Sequence, residues 1–197
     1  MKTWLVVLSM AGIATPAFAQ DPAAAPPMGQ EQTAPSGTVE STGMSPKANA
    51  IVIGIQANGS KATGDVGKNF DFGFGFGARG GYELHLNPQL TITPELAINW
   101  NRWSTGPTNA WVLGILPGAR AGWALGMATP WLGLHVGLDH GDAGGFSSDK
   151  FGLDVGAGAD FALSKGSVGP FVSYNIDFTD VASLQWVSFG IGGSLGI

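Results

Sequence analysis

From residue 48 to residue 197, apolar residues alternate with small or polar ones, so the hydrophobic pattern repeats every two residues. Ile51, Ile53 and Ile55 form one such series, and four phenylalanines occupy alternate positions over 70–76. A period of two predicts a β-strand with one apolar face. Eight such segments follow one another along the chain. This pattern predicts an all-β fold built from eight antiparallel strands.

Charged residues in these segments fall almost entirely on the face opposite the apolar one. Nine of ten lie on the small or polar face: Asp71, Arg79, Glu83, Glu95, Arg120, Asp139, Asp154, Asp160 and Asp177. Only Arg102, at a segment end, falls on the apolar face. A surface that contacts lipid excludes charge, because a charged side chain on it costs about 2–4 kcal/mol at the bilayer midplane. A soluble sandwich also alternates, with its apolar face as the core.

Glycine and tryptophan distinguish these two arrangements. The chain has 32 glycines, and many lie on the polar face. Glycine weakens a solvent-exposed strand, whereas a narrow closed barrel can use it inside, where backbones approach one another. Trp100, Trp111 and Trp123 lie on the apolar face near segment ends, as in interfacial aromatic belts. We therefore predict an eight-stranded antiparallel up-and-down transmembrane β-barrel over 48–197, with a soluble closed barrel or a sandwich as alternatives.

The composition excludes several other classes of protein. Only 12% of the residues are charged, about half the usual content of a cytosolic domain. The chain has no cysteine, which excludes a disulfide scaffold. Acidic residues number 14 and basic residues 9, so no nucleic-acid partner is expected. The sequence contains no metal, haem or nucleotide motif, so we predict no cofactor and no metal site.

The first 47 residues predict two segments that precede the barrel. Residues 1–19 combine Lys2, an apolar run and the small-residue ending Ala17-Phe18-Ala19, which predicts a cleaved secretory signal peptide. Residues 20–47 are rich in Pro, Ala, Ser and Thr without an apolar period, which predicts a disordered periplasmic tether. No later apolar run is long enough for a membrane-spanning helix.

The breaks between segments predict the orientation of the barrel. Those near 86–89, 126–129 and 164–167 are short, and those at 58–69, 104–109, 139–150 and 179–185 are longer. Outer-membrane barrels have short periplasmic turns and longer outer loops. We therefore expect both termini of the barrel to be periplasmic.

Five inward residues are predicted to form a polar layer in the periplasmic half of the lumen. Arg79 and Glu95 are equidistant from residue 87, which predicts a cross-strand pair, and Arg120 and His135 are equidistant from the 126–129 turn. Asp160 lies a few residues from the third short turn. Buried charges must be paired, so we predict an ion-pair plug, with a gated polar pathway as the alternative.

The sequence contains three histidines that could belong to the active site of an enzyme. His85 lies by a predicted turn, His135 on the inner face and His140 in a predicted outer loop. No recognisable nucleophile motif accompanies them, so no catalytic residue is predicted. Asp139, Asp142 and Asp149 surround His140 without the ligand order of a calcium loop, which indicates a solvated acidic loop.

Residues 76–84 (FGARGGYEL), 93–96 (TPEL) and 116–120 (LPGAR) resemble the small outer-membrane β-barrel family, that is, the OmpA-like and opacity-protein-like eight-stranded barrels. The closing strand over 186–197 also fits, and the resemblance covers about 48–197. It implies a monomeric barrel in the outer membrane of a Gram-negative cell envelope. It also implies outer-membrane lipid as a partner, together with the barrel-assembly machinery, which reads the last strand. Such barrels usually end in an aromatic residue, whereas this sequence ends in Ile197.

The family includes structural, adhesive and enzymatic members, so the resemblance specifies architecture more than activity. We predict a non-enzymatic barrel that contributes to membrane integrity or to surface interaction, with an unspecified cell-wall or surface partner. A narrow porin-like channel for small solutes is the alternative, followed by a lipid-modifying outer-membrane enzyme.

Overall fold

The computed structural model describes residues 50–68, 70–105, 108–178 and 183–197. The predicted signal peptide (1–19) and tether (20–47) lie outside these residues. Eight strands and one short helix make up the described chain: β1 (Ala50–Thr63), α1 (Gly64–Gly67), β2 (Phe72–His85), β3 (Leu90–Thr105), β4 (Thr108–Trp123), β5 (Ala128–Ala143), β6 (Phe146–Leu163), β7 (Gly166–Phe178) and β8 (Leu184–Gly196). Within the described ranges, no helix is long and apolar enough to cross a membrane.

The eight strands form one closed antiparallel barrel in which each strand pairs with its neighbours in the chain. The first and last strands complete the barrel, with Val52 opposite Gly196 and Thr63 opposite Gln185. Closure leaves no strand with an unpaired edge. The predicted fold class is confirmed, and the sandwich alternative is wrong.

The two faces of the barrel separate the side chains as the alternation predicts. Large apolar residues on the outer face are exposed, among them Ile55, Phe76 and Leu132. Eight of the nine charged residues predicted on the polar face lie on inward strand positions: Arg79, Glu83, Glu95, Arg120, Asp139, Asp154, Asp160 and Asp177. The ninth, Asp71, precedes β2 and is exposed. Arg102 faces outward and is exposed.

The strands reach further than the predicted long breaks allow. β5 and β6 continue to Ala143 and Phe146 and are joined by Gly144 and Gly145, whose φ angles are 62° and 87°. Positive φ at both central residues is the geometry of a tight hairpin turn, which glycine adopts without strain. The predicted breaks at 58–69, 104–109 and 139–150 are therefore too long, because β1, β3 and β5 extend to Thr63, Thr105 and Ala143, beyond the apolar alternation. His140 lies in β5 rather than in a loop.

The two ends of the barrel differ. We call the end with the connections 86–89, 124–127 and 164–165 the turn end, and the opposite end, which carries α1, the loop end. At the loop end, five buried residues fill the lumen, and Phe70 packs against them: Ala62, Trp103, Val112, Leu184 and Trp186. The rings of Trp103 and Trp186 meet edge to face at 5.4 Å. We call these six residues the aromatic plug.

Candidate functional site: the barrel lumen

Glu95 lies at the centre of a hydrogen-bonded group of charged side chains inside the barrel. Its Oε2 accepts a hydrogen bond from Arg120 Nε at 3.0 Å, and its Oε1 lies 2.9 Å from His135 Nε2. His135 Nδ1 lies 3.1 Å from Asp154 Oδ1, and Arg120 Nη1 lies 3.5 Å from Asp160 Oδ2. We call these five residues the ion network. It connects β3, β4, β5 and β6 across the lumen.

The imidazole of His135 lies between two carboxyl groups. An ionised carboxylate only accepts hydrogen bonds, and a neutral imidazole donates only one. For both contacts to be hydrogen bonds, either the ring carries a proton on each nitrogen or one of the carboxyl groups is protonated. The ion network therefore holds a proton that a neutral imidazole between two carboxylates would lack.

Arg120 also packs against an aromatic ring. Its guanidinium carbon lies 5.1 Å from the centroid of the Trp131 ring, within the range of a cation–π contact. Trp131 faces inward, and its ring lies against Gly156 and Gly158 of β6. A Cβ atom on Gly158 would lie 2.6 Å from Trp131 Cζ2, so the glycine leaves the room that the ring occupies.

The predicted pairing of Arg79 with Glu95 is wrong. Arg79 lies opposite Ala97, and Glu95 lies opposite Gly81. The β2–β3 turn is centred near residue 88 rather than 87, since Asn87 Oδ1 accepts hydrogen bonds from the backbone N–H groups of Gln89 and Leu90. Arg79 faces the lumen, but its Nε and Nη2 make no hydrogen bond with the described residues.

The predicted alignment of Arg120 with His135 is also displaced by two residues. His135 lies opposite Gly118, and Arg120 lies opposite Gly133. The two side chains still meet, because Glu95 contacts both. Of the five predicted residues, the structure brings Glu95, Arg120, His135 and Asp160 into one network and leaves Arg79 beside it. The fifth member of the network, Asp154, is an inward charge that the prediction did not place in this layer.

A second pair of carboxyl groups lies elsewhere in the lumen. Asp139 and Asp177 are both buried, and both lie next to Gly152 of β6. Amide pairs also line the interior, with Gln56 donating to Asn99 at 3.0 Å and Asn58 donating to Asn101 at 2.9 Å. The sequence placed the two aspartates on the inner face without indicating that they meet. Their contact follows from the register of β5, β6 and β7.

At the turn end, the lumen widens into a cavity of about 740 Å³. Its wall includes Glu83, His85, Thr93, Arg120, Trp131 and Asp160. Arg120 and Asp160 belong to the ion network, so the network forms the inner boundary of this cavity. The aromatic plug closes the lumen at the other end of the barrel.

The other two histidines also contact carboxylates. His85 Nδ1 lies 3.1 Å from Thr91 Oγ1, and its Nε2 lies 3.3 Å from Glu83 Oε1. His140 Nδ1 lies 2.6 Å from Asp149 Oδ1 on the outer face. Within the described part of the chain, no group of three or more His, Cys, Asp or Glu residues is arranged to hold a metal ion.

The three tryptophans predicted at the membrane interface all occupy outward positions. Trp111 lies near the loop end of β4, and Trp123 ends β4 at the turn end. Trp100 lies five residues before the end of β3, where it stacks on Phe76 at a centroid distance of 6.4 Å. Three further tryptophans, Trp103, Trp131 and Trp186, face inward. They lie at the alternate strand positions that also carry the glycines and the charges, and this placement is the signal in the sequence that identifies them as inward.

Comparison with known proteins gives a fold and no sequence family. No family model and no curated protein matches the sequence. Among solved structures, Neisserial surface protein A (NspA) superposes with a TM-score of 0.61 at 18% identity, over 77% of this chain and all of that one. The chain has the fold of a small eight-stranded outer-membrane barrel. The predicted resemblance to the OmpA-like and opacity-like barrels is thus confirmed as a likeness of fold.

Two further solved structures match the chain. The outer membrane enzyme PagL matches with a TM-score of 0.50 at 16% identity, over 76% of this chain and all of that one. Ail, the attachment invasion locus protein of Yersinia pestis, matches with a TM-score of 0.46 at 15% identity, over 74% of this chain and 99% of that one.

Proposed function

We propose that this chain is a non-enzymatic outer-membrane barrel with a closed lumen that contributes to the integrity of the membrane or to interaction at the cell surface. The observation that carries the proposal is that the lumen is filled at two levels. The aromatic plug fills the loop end, and the ion network lies between the plug and the turn-end cavity. An eight-stranded barrel has an interior that side chains can fill.

The outer surface supports a location in the membrane. The outward faces of all eight strands present large apolar side chains, about half exposed, such as Ile53, Phe74 and Phe189. An apolar surface that continues around a closed barrel fits contact with lipid on every side. The tether at 20–47 and the turn end would then face the periplasm, with lipid and the barrel-assembly machinery as partners.

The contacts of the histidines favour a non-enzymatic role for the chain. Both ring nitrogens of His135 contact carboxyl groups, which leaves neither available as a base. His140 contacts Asp149, and within the described residues no hydroxyl group is hydrogen-bonded to it. His85 does contact a hydroxyl group, since its Nδ1 lies 3.1 Å from Thr91 Oγ1, but both residues occupy inward positions near the turn end rather than the lipid-facing surface, and no nucleophile motif accompanies them.

Two experiments test this proposal. In the first, the full chain is reconstituted in a planar bilayer, and the conductance is expected to equal that of the lipid alone. Stable single-channel current steps would instead support the alternative of a narrow porin-like channel. Cell fractionation tests the location. Recovery in a soluble periplasmic fraction without detergent would contradict the membrane assignment, and heat-modifiable mobility on a detergent gel is the result expected for a folded barrel.

A further inference from the structure

Arg79 is a buried cation of the lumen to which the described residues offer no acceptor. The residue is 9% exposed, and its Nε and Nη2 atoms make no hydrogen bond within the described part of the chain. None of the ion pairs between described residues involves it. A buried charge without a partner is unfavourable, because burial removes the water that would solvate it. The guanidinium of Arg79 therefore has unused capacity to bind an anion.

The carboxylate groups nearest to Arg79 are engaged by other side chains. Glu95 lies opposite Gly81, the next inward residue of β2 toward the turn end. Its Oε2 accepts a hydrogen bond from Arg120, and its Oε1 lies 2.9 Å from His135 Nε2. The ion network thus uses both oxygens of Glu95 for its own members. This arrangement explains why the guanidinium of Arg79 lies beside the network without joining it.

The side chain of Arg79 extends from β2 across β1 toward β8. Gly54 lies directly opposite Arg79 on β1, and a Cβ atom on Gly54 would lie 2.7 Å from Arg79 Nε. A Cβ atom on Gly192 of β8 would lie 3.8 Å from Arg79 Nη1. The missing side chain at Gly54 therefore allows the guanidinium to reach β8.

Two serine residues continue the same row of the sheet. Gly54 also lies opposite Ser194 of β8, and Ser194 lies opposite Ser167 of β7. The Oγ atoms of the two serines are 2.8 Å apart. A hydrogen bond between them uses one of their two hydroxyl protons, so the other is available for a further acceptor. The row thus contains a guanidinium and a hydroxyl donor on neighbouring strands.

This row lies at the inner end of the turn-end cavity. Ser167 and Ser194 line the cavity, and so does Val52, the inward residue next to Gly54 on the side of the turn end. The cavity volume of about 740 Å³ falls within the range of small-molecule sites, about 300–1,000 Å³. A molecule that enters from the turn end therefore meets the serine hydroxyl groups and then the guanidinium of Arg79.

We propose that Arg79 and Ser194 bind the oxyanion of a small molecule that enters the lumen from the turn end. The group recognised is a carboxylate or a phosphate, because a guanidinium has parallel N–H donors that match two oxygens of either group. Nε and Nη2 lie on the same edge of the guanidinium and form such a pair. A single oxyanion can accept hydrogen bonds of about 2.8 Å from both the guanidinium and the hydroxyl group. The inference goes beyond the proposed function, since it assigns a ligand to the closed lumen.

The test is a calorimetric titration of the folded full chain in maltoside micelles, which carry no charge. Sodium phosphate and sodium acetate are the probes, each in the same background of sodium chloride. We expect saturable binding, and the anion that binds more tightly identifies the ligand group as a phosphate or a carboxylate. Arg79→Gln is expected to raise the dissociation constant by about tenfold or more, the effect of losing charge-assisted hydrogen bonds. Ser194→Ala is expected to raise it by about two- to tenfold, the effect of losing one neutral donor.

The matched control is Arg102→Gln, which removes the same charge from the outward face and is expected to bind like the wild type. Binding of neither anion above the chloride background would overturn the proposal. Equal affinities of the wild type and Arg79→Gln, or an equal loss in Arg102→Gln, would overturn it as well. Heat-modifiable mobility verifies that each variant is folded.

A second measurement uses the wild type alone and so does not depend on the folding of any variant. Crystals grown with the anion of higher affinity are expected to show it within hydrogen-bond distance of the guanidinium of Arg79. Its absence from that position would overturn the proposal. Both measurements are made in detergent, so their outcome is separate from the tests of membrane location and conductance.

Discussion

The carboxyl group of Asp139 lies directly in front of Gly152, on the neighbouring strand, in the space that a side chain at residue 152 would need. A Cβ atom on Gly152 would overlap Asp139 Oδ2. Asp177 lies opposite Gly152 on the third strand of this group. The glycine thus allows the carboxyl groups of Asp139 and Asp177 to meet across it, which explains why a strand interior carries glycine here.

Replacing Gly152 by alanine should therefore destabilise the barrel. We expect Gly152→Ala to lower the free energy of unfolding by about 1–3 kcal/mol, because the methyl group displaces a packed carboxyl group. Urea unfolding in lipid vesicles, followed by the mobility shift of the folded band, measures this. Gly80→Ala is the control, since its Cβ would have no atom within 4 Å. If both alanine variants have the same stability, the steric argument is wrong, whereas recovery of stability in Gly152→Ala, Asp139→Ala would support it.

Neutralising Glu95 should weaken the ion network from its centre. Glu95→Gln retains the shape of the side chain but removes the charge that Arg120 and His135 share. We expect a loss of about 3–5 kcal/mol, the usual effect of removing one partner from a buried ion pair. Glu83→Gln is the matched control, because the side chain of Glu83 is 23% exposed and that of Glu95 is 3% exposed. Equal unfolding midpoints for the two variants would contradict a central role of Glu95.

The stacked arginine should not be replaceable by lysine. Arg120→Lys retains the charge but loses the planar fork that reaches both Glu95 and Asp160 and lies over Trp131. We expect a loss of about 1–3 kcal/mol and a changed tryptophan emission spectrum, which fluorescence-detected unfolding records together. The same substitution at the exposed Arg102 should leave both quantities unchanged. Full stability of Arg120→Lys would show that a point charge is sufficient at this position.

The aromatic plug should contribute to stability without being the only closure of the lumen. Trp103 is 1% exposed, and truncation of such a side chain leaves a cavity. We expect Trp103→Ala to cost about 3–5 kcal/mol, measured by urea unfolding. The outward-facing Trp123→Ala should cost less. Planar-bilayer recordings of Trp103→Ala should remain silent, because the ion network still fills the lumen below the plug, and stable conductance in this variant would show that the plug alone closes the barrel.

The sequence predicts the strands and their faces well, because one rule acts at nearly every position. Lipid-facing residues must be apolar, and charged residues must face the lumen. The alternation along each strand is therefore enough to place the side chains of Arg79, Glu95 and Asp177 on the inner face. The exceptional position of Arg102 was visible in the same way. The rule does not depend on the details of any turn.

Register and contact were predicted less well, because they depend on the geometry of single turns. The hydrogen bonds of Asn87 move the β2–β3 turn by one residue, which shifts the partner of Arg79 by two. A shift of two residues leaves each side chain on the same face of the barrel, but it removes the predicted pairing of Arg79 with Glu95. The inward tryptophans were not predicted because the alternation rule assigns apolar residues to the lipid face. Trp103 and Trp186 are exceptions to this rule, since they fill the interior of the barrel.

The pairing of β1 with β8 has a consequence for how the barrel forms. Seven of the eight ladders join strands that are adjacent in the chain, so each can form as a local hairpin at a small entropic cost. The eighth joins Val52 to Gly196, near opposite ends of the described chain. The loop-closure entropy of the barrel is therefore concentrated in one ladder, so we expect the meeting of the first and last strands to be the slow part of folding.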